Sequence, residues 1–299
     1  MWETALAFAI WGSYGSVLTA ARIDPVLTAI ARSAGLGLLL TMASTTIARL
    51  RGPREITASI PWRSAALWLS GSVLLVDEVL YSVSAVSGPV AIIGLAYGSM
   101  PVLAPLLSRL AGTDRADAMR PRHWACLILA FAGNAIVFAE LHAAQIQFTL
   151  AAILGALAGL LFTLMPVCSA RLQQSGLGTW AVLKSQAAVA AVLAVPLLAL
   201  LMAIGVVGPG GSGRGEIVAR SLEMGTVNAV AFTLAPFYLW YRGIARCGVA
   251  RTSICAFVEP LVATLFSLFV LHDAPPTPML IAGVTLVLGA IAVSVRSGD

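Results

Sequence analysis

Gly71-Ser-Val-Leu-Leu-Val-Asp77-Glu78-Val-Leu-Tyr81-Ser-Val-Ser-Ala-Val-Ser87-Gly88-Pro89 is an apolar run with two acids in its middle, and the apolar character continues to Pro105. Its length predicts two membrane helices with a turn at Ser87-Gly88-Pro89. A carboxylate at the centre of a membrane helix costs about 2.5–3.5 kcal/mol by insertion measurements. Two in succession require a water-filled cavity, a proton or a positively charged partner. Asp77 and Glu78 are therefore expected to border a water-lined path rather than lipid.

The rest of the chain has the same character. Its 299 residues are 59% hydrophobic and only 10% charged, far below the charged share of a soluble domain. At about 20 residues per span plus short loops, the length allows roughly ten helices. We place them at about 2–21, 26–48, 64–87, 89–110, 122–140, 148–171, 178–205, 217–244, 249–271 and 278–296, separated by polar or Pro/Gly breaks. The net charge of +5 does not point to nucleic acid, because the basic residues are scattered over short loops. Cys126, Cys168, Cys247 and Cys255 have no metal-ligand or redox spacing and read as packing residues. His123, His142 and His272 form no cluster, and no metal or cofactor is expected. The glycine-rich stretch from Gly208 to Gly215 lacks the ending of a phosphate loop and reads as an external loop.

The arginines set the orientation. Arg49, Arg51, Arg54, Arg63, Arg109, Arg115, Arg120 and Arg122 fall on one side with Arg171, Arg242, Arg246, Arg251 and Arg296. The opposite loops hold only Arg22, Arg214 and Arg220. Positive loops stay in the cytoplasm, so both termini are predicted there. The sequence also repeats. Tyr81 to Gly88 aligns with Tyr241 to Gly248, Pro101 with Pro260, and Ala21-Arg22 with Ala170-Arg171. Five spans per repeat is odd, so residues 1–145 and 146–299 are expected to be inverted relative to one another, with a binding site between them near the midplane.

These features resemble the ten-helix EamA-type members of the drug/metabolite transporter superfamily. The residues that carry the likeness are Ala9-Ile-Trp11-Gly12-Ser13, Pro25 to Arg32, Met100-Pro101 and Leu239-Trp-Tyr-Arg-Gly-Ile-Ala245. Val258-Glu259-Pro260-Leu-Val-Ala263 is the most specific, followed by Ile281-Ala-Gly283 to Gly289. The resemblance implies an all-α bundle of two inverted five-helix repeats in a bacterial cytoplasmic membrane. It also implies alternating access and a small metabolite as cargo, moved outward. Asp77-Glu78 departs from the apolar, Asn or Tyr residues of many relatives.

The residues then suggest a chemistry. One carboxylate of Asp77/Glu78, about 100° apart around a helix, is expected to face the cavity, binding an ammonium group or trading a proton for it, and the other to face a neighbouring helix. Trp11, Tyr14, Tyr81, Tyr97 and Tyr238 lie deep in their spans and offer cation–π faces, whereas Trp240 and Tyr241 read as interfacial anchors. Lys184 either meets a substrate carboxylate or pairs with an acid, and Arg32 reads as an internal counter-charge. Glu259 beside Pro260 suits a hinge or coupling site, since Pro260 leaves the carbonyl of Ala256 without its helical donor. Pro101 is its counterpart in the first half. The expected partners are a small-molecule substrate, membrane lipid and protons, with amino acids the leading cargo and lipophilic cations or drugs the alternative. No Ser/His/Asp arrangement suggests an enzyme, and the chain is expected to be a monomer or weak dimer.

Overall fold

In hydrocarbon an apolar segment must satisfy its own backbone, and coiling into a helix does so. In the computed structural model this is the rule throughout. It describes residues 1–21, 23–51, 60–88, 97, 100–113, 121–143, 150–205, 214–271 and 277–296, and no strand occurs among them. The first half holds α1 (Trp2–Ala21), α2 (Pro25–Arg51), α3 (Ala65–Ser87), α4 (Met100–Leu110) and α5 (Pro121–Ala143). The second holds α6 (Leu150–Phe162), α7 (Leu164–Gln174), α8 (Thr179–Ala203), α9 (Arg214–Asn228), α10 (Ala235–Ile254), α11 (Val258–Phe266) and α12 (Pro278–Arg296). Six stretches are long and apolar enough to cross a membrane: Trp2–Ala21, Pro25–Thr46, Ala65–Ser87, Leu150–Gln174, Thr179–Ala203 and Gly215–Val270. The chain is a multi-pass membrane protein.

Local chemistry sets the breaks. Asp24 caps α2, its carboxylate accepting from the Leu27 N–H at 2.9 Å, with Pro25 pre-set for the first turn. Pro166 has no N–H for the carbonyl of Phe162, and the helix breaks at Thr163, whose hydroxyl turns back to the Leu160 carbonyl at 2.6 Å. Between α9 and α10 the segment Ala229–Leu234 widens into a π-helix just before Pro236. The break expected at Arg246-Cys247-Gly248 is a kink at Gly248, whose φ of 81° favours glycine. The turn from Pro89 onward lies outside the described residues, as do Arg22, Arg54, Arg115, Arg120, His272 and most of the glycine-rich loop.

α1 packs on α10 and α11, α2 on α8 and α9, α3 on α6, α7 and α8, and α5 on α12. Small residues permit the close approaches, as is usual between membrane helices. A Cβ at Gly133 would stand 2.7 Å from the Gly283 carbonyl oxygen, joining α5 to α12. A Cβ at Gly12 would stand 2.6 Å from the carbonyl oxygen of Glu259 and 2.7 Å from Cβ of Val262. Backbone cannot swing aside as a side-chain tip does. Gly12→Ala is therefore expected to push α1 off α11 and cost about 1–3 kcal/mol, read as a lower unfolding temperature of the purified protein in detergent. An unchanged unfolding temperature would show that this contact can relax.

The interfacial reading of Trp240 and Tyr241 is corrected. Both are fully buried, because α1 and α7 cover this end of α10. Trp240 packs against Phe8 at 5.7 Å and Trp11 at 5.5 Å between ring centroids. All four cysteines are free, and Cys126, Cys168 and Cys255 are buried as packing residues.

Candidate functional site

The interior polar groups converge on one narrow cavity of about 20 Å³, room for roughly one water molecule. α3 brings Asp77, Glu78 and Tyr81 to it, and α1 brings Trp11 and Tyr14, three residues apart and so on one helix face. Arg32 reaches it from α2, Glu259 from α11, and Tyr97 from just before α4. Phe162 at the end of α6 and Phe237 near the start of α10 complete the lining.

Both acids of α3 face this space, against the expectation that only one would. Their 100° arc is accommodated because each finds a different partner. The Tyr97 hydroxyl donates to Asp77 Oδ1, and Arg32 Nη1 lies 2.5 Å from Glu78 Oε2. Arg32 and Glu78 are 2% and 4% exposed, so the pair is held out of water. The same guanidinium lies 4.2 Å above the Tyr14 ring, donates from Nε to the Thr233 hydroxyl, and donates from Nη2 to the Phe232 carbonyl at 2.7 Å.

That carbonyl is available for a sequence reason. Pro236 has no N–H to offer the residue four back, which is Phe232, and the π-helical turn lies across this point. Trp11 Nε1 donates to the same carbonyl at 2.7 Å. One freed backbone group thus fixes both the indole of α1 and the guanidinium of α2. Single π-turns in helices recur at functional sites for this kind of reason.

Glu259 differs from the other two acids. It is 4% exposed, and among the described residues its carboxylate makes no hydrogen bond or ion pair. Around it the rings pack as a continuous wall. Tyr14 stacks on Tyr81 at 5.5 Å, Tyr81 meets Tyr97 edge-on at 5.3 Å, and Trp11 meets Phe237 at 4.8 Å. The lining carries three carboxyl groups against one guanidinium. A lone buried carboxylate among aromatic faces can meet an ammonium group by charge and by cation–π contact together.

Four of the residues singled out in the sequence are not in the lining. Lys184 is buried on α8 but outside the cavity wall. Tyr238 is half-buried and packs on Trp180 at 5.8 Å. Pro260 follows Glu259 and is preceded by the 3₁₀ turn Cys255–Phe257, the local irregularity that its missing donor predicts. Pro101 is buried in the first turn of α4. Phe162 and Phe237 were indistinguishable in the sequence from other aromatic residues of their spans.

A buried, charged and aromatic cavity thus lies inside a multi-pass helical bundle. Residues 149–296 match the profile of the EamA-like transporter family, part of the drug/metabolite transporter superfamily, and this match points to a membrane transporter of small solutes. No curated protein matches the chain. A chain of known structure, described only as a crystal structure of a protein, superimposes with a TM-score of 0.68 at 21% identity. The match covers 99% of this chain and 96% of that one, and it shows likeness of fold.

Proposed function

We propose that the protein is a secondary active transporter that exports small amine-bearing metabolites, amino acids among them, across a bacterial cytoplasmic membrane in exchange for protons. The observation that carries this reading is the carboxylate of Glu259, without a partner among the described residues, in an aromatic-walled cavity. An ammonium group supplies the counter-charge it lacks. Asp77, Glu78, Glu259 and the rings of Trp11, Tyr14, Tyr81 and Tyr97 form the binding site. Pro260 follows the irregular turn Cys255–Phe257, and Pro101 lies in the first turn of α4; both serve coupling or gating in this reading.

The architecture in this reading is ten spans in two inverted repeats, 1–145 and 146–299, working by alternating access. Its support is the pattern of neighbours. A two-fold exchange of the halves turns the packing of α3 on α6 into that of α10 on α1, and leaves the α2–α8 and α5–α12 pairs unchanged. Equivalent glycines also end equivalent helices. Gly88 is extended after α3, and its partner in the repeat, Gly248, breaks α10. With the termini cytoplasmic, as the arginine distribution predicts, Glu3 joins the cytoplasmic ends of α1 and α10 through Arg242 at 3.5 Å and Arg246 at 3.1 Å. Alternating access then requires these contacts to part.

A second reading, the export of lipophilic cations, is favoured by one further observation. Arg32 is already engaged by Glu78, so a zwitterion's carboxylate has to compete for the only guanidinium in the lining among the described residues. A thermal-stability screen of the purified protein against amines, amino acids, permanent cations and nucleotides tests both. An amine at about a hundred times its Kd is expected to stabilise by about 2.7 kcal/mol and to be transported into vesicles containing the protein. Stabilisation by anionic ligands alone would sink both readings.

A further inference from the structure

The lining charges can be counted helix by helix. α3 contributes the carboxyls of Asp77 and Glu78, α11 that of Glu259, and α2 the guanidinium of Arg32. α1, α6 and α10 contribute rings only, and the hydroxyls of Tyr14, Tyr81 and Tyr97 carry no charge. Arg32 and Glu78 cancel at 2.5 Å. Among the described residues two carboxyl groups without an ion-pair partner remain, Asp77 at 4% exposure with a tyrosine hydroxyl as donor, and Glu259 at 4% with none. A hydrogen bond lessens a carboxylate's desolvation but does not neutralise it.

We infer that the preferred ligand of this cavity is a small organic dication of the diamine type, one ammonium group meeting Asp77 and the other Glu259. This rests on the amine-transport reading above and narrows it. A monoamine covers one carboxylate and leaves the second to be covered by a proton, while a diamine covers both. Aromatic rings line the same cavity as the two acids, and such rings suit the methylenes of the ligand as well as its charged ends. The charge balance of the cycle follows. As the dication enters, two protons leave the cavity. After its release two protons return, so that one diamine moves out as two protons move in and no net charge crosses the membrane.

The test uses the purified full chain in vesicles, with a fixed pH gradient and the membrane potential set by potassium and valinomycin. Radiolabelled 1,4-diaminobutane and 1-aminobutane are the probes. With the second carboxyl protonated, a monoamine forgoes one charge-assisted hydrogen bond, so kcat/KM should favour the diamine by about tenfold or more. A pH-sensitive dye should count two protons per diamine, and the rate should not depend on potential. In Asp77→Asn, transport of both probes should fall and the preference for the diamine should collapse toward one. If that variant does not fold, the proton count on the unaltered protein decides. A monoamine moved equally well, or one proton per diamine, would overturn the dication and leave amine transport standing. Failure to move any amine would overturn both.

Discussion

Arg32→Met is expected to be the most destabilising single change in the cavity wall, lowering the unfolding free energy by about 3–5 kcal/mol. The guanidinium is almost wholly buried and serves four groups at once: Glu78, the Tyr14 face, the Thr233 hydroxyl and the Phe232 carbonyl. Methionine fills much the same volume and supplies none of these. The largest part of the loss is the stranded Glu78, a charge in a dry place with nothing opposite. Adding Glu78→Gln to Arg32→Met should therefore recover a substantial part of the stability, because an uncharged pair has no such penalty. Arg32→Lys should not serve as a substitute, since an ammonium lacks the planar fork that reaches these partners together. Thermal unfolding of the four proteins in one detergent measures this. If the double variant is no more stable than Arg32→Met alone, the ion pair is not what Arg32 contributes.

How far the sequence revealed this arrangement depends on the kind of information each residue carries. Depth in the membrane was legible. Asp77, Glu78 and Glu259 sit too far from any polar segment to reach water outward, so hydrocarbon left them only an interior. Arg32 was legible as their counter-charge on the same argument. Proline chemistry was legible too, since the missing donor of Pro260 lies beside the 3₁₀ turn Cys255–Phe257. The equivalent argument for Pro236 leads to the Phe232 carbonyl that holds Trp11 and Arg32.

Direction around a helix was not legible. In spans apolar on every side, no polar face marks the outside. Tyr238 was expected in the cavity because it is deep, and Lys184 as the partner of a substrate carboxylate or of an acid, yet neither is in the lining. Trp240 and Tyr241 were placed at the interface because they are near a span end, yet neighbouring helices cover them. Phe237 faces the cavity while Tyr238 does not, and nothing in Pro236-Phe-Tyr-Leu-Trp240 distinguishes the two. The same blindness made the arc between Asp77 and Glu78 look too wide for one cavity. Helix geometry alone could not say that Tyr97 and Arg32 would approach from two sides.

Glu259→Gln is expected to lower transport by about 30-fold or more, the loss for removing one partner of a buried charge pair, while leaving the unfolding temperature unchanged or higher. The two halves of this expectation come from one observation. The carboxylate makes no hydrogen bond or ion pair among the described residues, so its replacement breaks no contact there and removes a group that is costly to bury. Sites built for a ligand are often less stable than they need to be for this reason. The competing account has Glu259 holding the bend at Pro260 by bridging exposed backbone groups. On that account glutamine, or still more alanine, should lower stability, and transport should fall only as far as folding does. Measuring unfolding temperature and initial transport rate on Glu259→Gln and Glu259→Ala separates the two. Loss of transport without loss of stability assigns the acid to the cargo or its proton, and the reverse assigns it to the bend. The close contact between Gly12 and the Glu259 backbone makes the distinction sharper, because the main chain at this point is already fixed by α1 and needs no help from the side chain.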